Sequence, residues 1–180
     1  MPISASEILY KLSVPSASSG NSAAQGDVNA SLGKYISTTQ ITTAVVNNLF
    51  DNISGAENAA SGVDYRAFFV HNSNTSGTLY SAVIWISGQV AGGASIEIGL
   101  DPSGNTPVGQ INNQATFITT ETGVPAGVTF SNPTSQGTAL SIGDLSANYC
   151  RGVWVKRSAA NTAAVNNDGA TLQTAGDTGA

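Results

Sequence analysis

Charge is scarce in this chain. Asp, Glu, Lys and Arg make up 9% of its 180 residues, against about 25% in an average globular protein; Ser, Thr, Asn, Gly and Ala take their place. Six basic against 11 acidic residues leave a net charge of −5, so attraction to DNA, RNA or an anionic membrane surface is unfavourable, and neither nucleic acid nor membrane is expected as a partner. The single cysteine, Cys150, cannot close an intrachain disulfide, and the single histidine, His71, cannot supply a multi-histidine metal site. These counts exclude disulfide scaffolds and zinc modules. No basic stretch followed by an apolar run opens the chain, and no window approaches about 18 consecutive apolar residues, so neither an export signal nor a membrane span is expected. What is present is 41% apolar residues and 20 glycines, enough for one core of ordinary size and too little for two.

Catalytic signatures are missing as well. There is no G-x-S-x-G, C-x-x-C, H-E-x-x-H or G-x-x-x-x-G-K-[ST], and Gly104-Asn105-Thr106-Pro107-Val108-Gly109 lacks the Lys and hydroxyl that phosphate chemistry needs. His71 falls at a strand end beside an Asn/Ser-rich turn, which reads as a solvent or interface histidine, and Cys150 reads as a small buried hydrophobe. Glu97 with Asp101 or Glu121 is the carboxylate pair on which glycoside hydrolysis would depend, yet Glu97 alternates with Ile96 and Ile98 and is expected to point off the sheet. Asp101, Asn105, Asn167 and Asp168 offer oxygen ligands in turns without matching a calcium loop; Asn166-Asn167-Asp168-Gly169 is better explained as a hairpin turn. No enzyme activity, catalytic residue, cofactor or metal is therefore expected.

The pattern that does appear is β. Glu7 to Val14 places Ile8, Tyr10, Leu12 and Val14 on one face at period two, and Pro15 stops it. Residues 15–33 have a linker composition with only Val28 and Leu32 as larger apolar groups. Ordering about 20 such residues costs about 20–40 kcal/mol of backbone entropy, which needs about 800–1,600 Å² of buried apolar surface or equivalent hydrogen bonding. The segment's own side chains do not offer that area. Residues 1–33 therefore read as an extended N-terminal arm that lies on other subunits, with packing along its own domain as the alternative; deleting them should leave a folded domain.

Residues 38–61 hold the one helical pattern, with Thr38 or Thr39 as N-cap and Ile41, Val45, Leu49 and Ile53 before Gly55, weakened by β-branched residues; a short helix near Val45–Asn52, or only a turn with an apolar staple, fits as well. Beyond it, Val63–His71 and Thr78–Ile86 read as a hairpin, and Ala94–Leu100, Ala115–Thr120, Gly127–Phe130, Thr138–Ile142, Tyr149–Lys156 and Ala170–Thr174 read as further strands. Short strands between Gly/Pro/Asn turns define the expected fold class: all-β, an antiparallel β-sandwich of jelly-roll or immunoglobulin-like topology over residues 34–180. The aromatics Tyr65, Phe68, Phe69, Tyr80, Trp85, Tyr149 and Trp154 read mainly as its core. Arg151 to Arg157 concentrates half of the basic charge, with Arg151, Val153, Val155 and Arg157 on one strand face and Lys156 on the other, suited either to an acidic partner or to a charged edge that blocks aggregation.

Two blocks carry a resemblance: Asn48-Leu49-Phe50-Asp51-Asn52-Ile53-Ser54-Gly55-Ala56-Glu57 with Asp64–Asn72, and Gly143-Asp144-Leu145 with Tyr149–Arg157 and Asp168–Leu172. From about Ile8 to Asp177 the chain resembles virion structural proteins of tailed bacteriophages. That resemblance implies a particle component located in the virion and assembled in the bacterial host cytoplasm, with capsid decoration (cement) proteins the best match in size, β content and arm. The implied partners are the major capsid protein or other virion subunits and further copies of this chain, as a dimer or trimer. Ile8, Tyr10, Leu12, Val28 and Leu32 on the arm and Arg151, Lys156 and Arg157 on the basic strand are the expected interface residues. The alternatives are a neck, tail or fibre-base component, and a carbohydrate-binding module on the virion surface that exposes Trp85 or Trp154.

Overall fold

A computed structural model describes residues 3–166 and 168–179. Among them eight strands form two antiparallel sheets: β1 (Ile8–Val14), β2 (Tyr35–Gln40), β3 (Val63–Asn72), β4 (Leu79–Gln89), β5 (Ser95–Pro107), β6 (Leu140–Leu145), β7 (Tyr149–Ser158) and β8 (Ala170–Asp177). One sheet runs β2-β1-β3-β7-β5 and the other β6-β4-β8. The chain is all-β, an antiparallel β-sandwich with one short helix, α1 (Gly55–Ala59).

Both faces of the larger sheet are buried, which explains why β3 contains the uninterrupted apolar run Ala67-Phe68-Phe69-Val70. Phe68 and Val70 face the smaller sheet, and with Ile96, Ile98, Val153 and Val155 they pack against Ala82, Ile84, Ile86, Ile142 and Leu145. The opposite face presents Tyr65, Ala67, Phe69, Cys150 and Trp154, and no second sheet covers it. Ile36, Val108, Ala115 and Ile118, from β2 and from the irregular segment after β5, close over it instead. The stretches Ala115–Thr120 and Gly127–Phe130, expected as strands, belong to this cover. They make single bridges, Phe117 to Gly33 and Ser131 to Ile98, because they lie across the sheet as lids.

Nothing among the described residues forms a detached arm over residues 1–33. Strand β1 lies inside the larger sheet, between β2 and β3, with Leu12 and Val14 in the interior. The Ser/Gly-rich stretch that follows is ordered by hydrogen bonds rather than by apolar area. Where β1 leaves β3, Ser31 takes over beside Ala67: Ala67 N–H donates to the Ser31 carbonyl at 2.8 Å and Ser31 Oγ donates to the Ala67 carbonyl at 2.7 Å. Gly33 N–H donates to Ser13 Oγ at 2.8 Å, and Gln25 Nε2 bridges the carbonyls of Ser13 and Ala30. Gly33 has φ +95°, and a β-carbon there would overlap the Thr116 carbonyl and the Trp154 ring; only glycine fits. Buried polar groups with complete hydrogen bonding supply what the side-chain area does not.

Three further points differ from or decide between expectations. Residues 41–53 form turns and no helix, the second of the two alternatives, and the helix follows them with Ser54 as its cap, whose Oγ accepts from Glu57 N–H while the Glu57 carboxylate accepts from Ser54 N–H; this capping box outweighs a β-branched i, i+4 pattern. Strands β3 and β4 are not a hairpin: the turn at residues 73–78 carries the chain from one sheet to the other. Strand β7 is no edge, since it lies between β3 and β5.

Candidate functional site

Three groups of polar side chains depart from an ordinary sandwich interior. The first lies at the end of the sandwich where β3 and β7 pair Asp64 with Arg157. Arg157 Nη2 is 2.7 Å from Asp64 Oδ2 and 3.4 Å from the Asp51 carboxylate, and Nη1 donates to the Asp51 carbonyl. Arg66, fully buried, pairs with Glu121 at 2.5 Å and with Asn29 Oδ1 at 3.0 Å. The Phe50 ring meets both guanidinium groups, its centroid 4.6 Å from Arg157 and 5.4 Å from Arg66. This arrangement anchors the turn-rich 41–53 segment by cation–π attraction and explains how two arginines tolerate burial. Carboxylate oxygens of Glu57, Asp64 and Glu121 come within 4.8 Å of one another, the one such acidic triplet among the described residues. Asp64 and Glu121 are already paired with guanidinium groups, which would repel a divalent ion at such range, and Glu57 is engaged in the Ser54 cap, so the cluster works as an internal ion-pair network.

The second group lies on the loop-covered face. His71 is paired with Cys150 across β3 and β7 and is buried, contrary to the solvent or interface position expected from its place at a strand end. The lid after β5 covers that end of the sheet. Neither ring nitrogen has a hydrogen-bond partner of good geometry. Burial pulls the imidazole pKa down to about 4, the Lys11 ammonium adds to that, and the Asn148 side chain opposes it. Cys150 lies against Thr106 and Gln114, and burial pushes its thiol up to about 12. Such a thiol is no nucleophile at neutral pH. Lys11 donates to Asn21 Oδ1 at 2.9 Å, and its own pKa is lowered, chiefly by burial.

The third is the outer face of the smaller sheet. Ile84 and Ile86 point into the core, so Val83, Trp85 and Ser87 face out, flanked by Thr171, Gln173 and Ala175 of β8. Trp85 is half-buried there. Nearby, Ile86–Gln89 with Asn132 and Thr134 line a shallow groove of about 230 Å³ that contains no charged side chain.

Of the residues expected at an interface, Leu12 is in the core and Arg157 in the ion-pair network, both buried within the chain. Ile8 and Tyr10 pack against the main core; the Tyr10 hydroxyl meets Thr174 Oγ1 at 2.7 Å and its ring lies 5.4 Å from Phe68. Leu32 packs beside Trp154 and Ile118, and Val28 is half-buried in a single turn of 3-10 helix. Lys156 faces Glu97 across β5 and β7 at 2.5 Å, which raises its pKa. Arg151 is half-buried beside Asp101, with its pKa lowered by burial. The suggested oxygen ligands do not converge. Asp101 accepts from Trp154 Nε1 and Thr116 N–H, each at 2.8 Å; Asn105 donates to the carbonyls of Ile142 and Asp144; Asp168 accepts from Ala94 N–H. Asn167 lies outside the described residues. Sequence reasoning missed Arg66, Arg157, Asp51 and Phe50 as a unit, since a turn segment is brought onto β3 and β7 only by tertiary packing. No protein-family model, curated protein or solved structure matches this chain.

Proposed function

We propose that this chain is a structural component of a bacteriophage particle, a decoration protein that binds the outer shell and acts by contact instead of by chemistry. One observation carries the reading: a sandwich with little surface charge places large apolar side chains in the open on its loops, Val45 and Val46 between β2 and α1, and Ile111, Phe117 and Val124 on the lid after β5. Apolar groups set among Ser, Thr, Asn and Gly can enter an interface without the several-kcal/mol cost of desolvating unpaired charge. Its partners are then the major capsid protein or other virion subunits, and its binding adds to the work of opening the shell. The resemblance of residues 48–72 and 143–172 to virion proteins of tailed phages points the same way.

Purified particles test this directly by quantitative mass spectrometry and cross-linking. Hundreds of copies per particle, cross-linked through the loop segments 41–53 and 108–131, are expected of a decoration protein. A dozen or fewer would move it to the neck, tail or fibre base, and absence from particles would overturn the proposal. A second reading, glycan binding, is favoured by half-exposed Trp85 close to the uncharged groove. Since Trp154 is buried, quenching of tryptophan fluorescence on a glycan panel would report Trp85, and an unchanged spectrum would reject that reading.

A further inference from the structure

The two sheets have four edge strands, and three of them are capped by the chain itself. On β2, the Ile36 carbonyl accepts from Asn21 N–H at 2.6 Å and Thr38 N–H donates to the Ala23 carbonyl at 2.9 Å, while Ile36 N–H donates to Gln114 Oε1 at 3.0 Å. On β5, Ile98 and Ser131 exchange two backbone hydrogen bonds of 2.8 and 3.0 Å, and Asn132 Nδ2 caps the Ile96 carbonyl. On β6, Asn105 Nδ2 caps the carbonyls of Ile142 and Asp144, each at 3.0 Å. Strand β8 differs. It pairs with β4 alone, and among the described residues the one bond to a backbone group of Thr171 to Asp177 beyond that ladder comes from β4 itself, Ser87 Oγ donating to the Thr171 carbonyl at 3.2 Å. Five of its eight residues are exposed and the other three half-buried.

We propose that β8 is a self-association edge, joining two copies of this chain by antiparallel β8–β8 pairing about a twofold axis into one continuous six-stranded sheet. The devices that normally keep an edge from pairing are missing from it. Ala170-Thr171-Leu172-Gln173-Thr174-Ala175-Gly176 contains no Lys, Arg or Pro, and both register irregularities in the β4–β8 ladder place the additional residue on β4, which leaves β8 regular. The strand is also self-complementary. A twofold through its centre sets Gln173 opposite its own copy, an amide pair that can both donate and accept, with Leu172 facing Thr174 and Thr171 facing Ala175. Asp177, its one charged residue, then falls at opposite ends of the ribbon, about 27 Å from its copy at ~3.4 Å per residue and well beyond a Debye length of about 8 Å. A second copy fits better than an unlike partner because a neutral strand offers no charge pattern to select one, and because one isologous contact closes both open edges together. The outer face would then present two Trp85 side chains on a single sheet.

Sedimentation equilibrium of the full chain tests the pairing. The wild type should show a monomer–dimer equilibrium at micromolar concentration, and Gln173→Lys, which sets like charges opposite each other at the axis, should weaken it at least tenfold while far-UV CD and melting temperature stay unchanged, since residue 173 is exposed. Gln173→Cys gives a second readout: with diamide as oxidant, two thiols should become one disulfide across the axis, while the wild type, whose Cys150 is buried, should not cross-link. A wild type that is monomeric throughout would overturn the proposal, including the case in which β8 instead receives a strand of another protein. So would a dimer that Gln173→Lys leaves intact and Gln173→Cys does not cross-link. Copy number in particles tests the decoration role separately, and a monomer in solution would leave that role standing.

Discussion

Lowering the pH from 7.5 to 5 should cost this protein about 2 kcal/mol of stability, and nearly all of it should come from His71. The imidazole is buried with no hydrogen-bond partner of good geometry on either nitrogen, beside Lys11 from β1 and Cys150 from β7, with the Asn148 side chain as the one contact that opposes the shift. Its pKa is lowered from 6.5 to about 4, first by desolvation and then by the Lys11 charge. The unfolded chain binds a proton near pH 6.5 and the folded chain does not until about pH 4, so protonation favours the unfolded state as pH falls through that window. The full contribution is present above pH 6.5 and is lost progressively toward pH 4. A gap of about 2.5 pH units at about 1.36 kcal/mol each sets its limit near 3.4 kcal/mol, and linkage gives about 2 kcal/mol of it by pH 5. Glu7 and Glu57, whose carboxyl pKa values are lowered by hydrogen bonds from the Ser4 and Ser54 backbones, lose their contribution mainly below pH 4.5, outside the range. Urea denaturation of wild type and His71→Gln at pH 7.5 and 5.0 isolates the effect even if the variant is less stable at both, because only the difference between pH values is read. A His71→Gln protein that still loses about 2 kcal/mol, or a wild type that loses less than about 0.5 kcal/mol, would refute the argument.

Two further predictions concern the N-terminal strand and the ion-pair network. Deleting residues 1–33 removes β1 from between β2 and β3 and uncovers Phe68 and Phe69, so the truncated chain should lose its cooperative thermal transition, and amides of Leu12 and Val14 in the intact monomer should exchange slowly. A truncated protein with a sharp melt would show that β1 is dispensable. Arg157→Met strands Asp64 without its partner and takes one cation from Phe50, at an expected cost of about 3–5 kcal/mol in urea denaturation; the double variant Arg157→Met/Asp64→Leu should recover most of it. If the single variant were neutral, the network would contribute nothing to the fold.

By itself the sequence determined the fold class. Apolar or alternating runs punctuated by turn residues mark seven of the eight strands, because the direction of side chains is set by backbone geometry and survives any choice of neighbour; β5 runs on to Pro107 beyond its expected end at Leu100. The scarcity of charge and the net charge of −5 are likewise properties of composition alone. Tertiary structure alone decided which strand meets which. Ile8 to Val14 reads equally well as a free amphipathic strand or as an interior one, and only the free backbone groups of β3 draw it into the sheet. Strand β2 was hidden because Thr38 and Thr39 suit a helix cap as well as a β-ladder, and the ladder prevails once β1 offers hydrogen bonds. His71 reads as a solvent or interface residue from its strand-end position, because no local pattern shows that tertiary packing buries it beside Cys150 and Lys11. The packing of Phe50 and Asp51 against Arg66 and Arg157, and the open edge of β8, likewise depend on contacts between residues far apart in the chain, which no local pattern encodes.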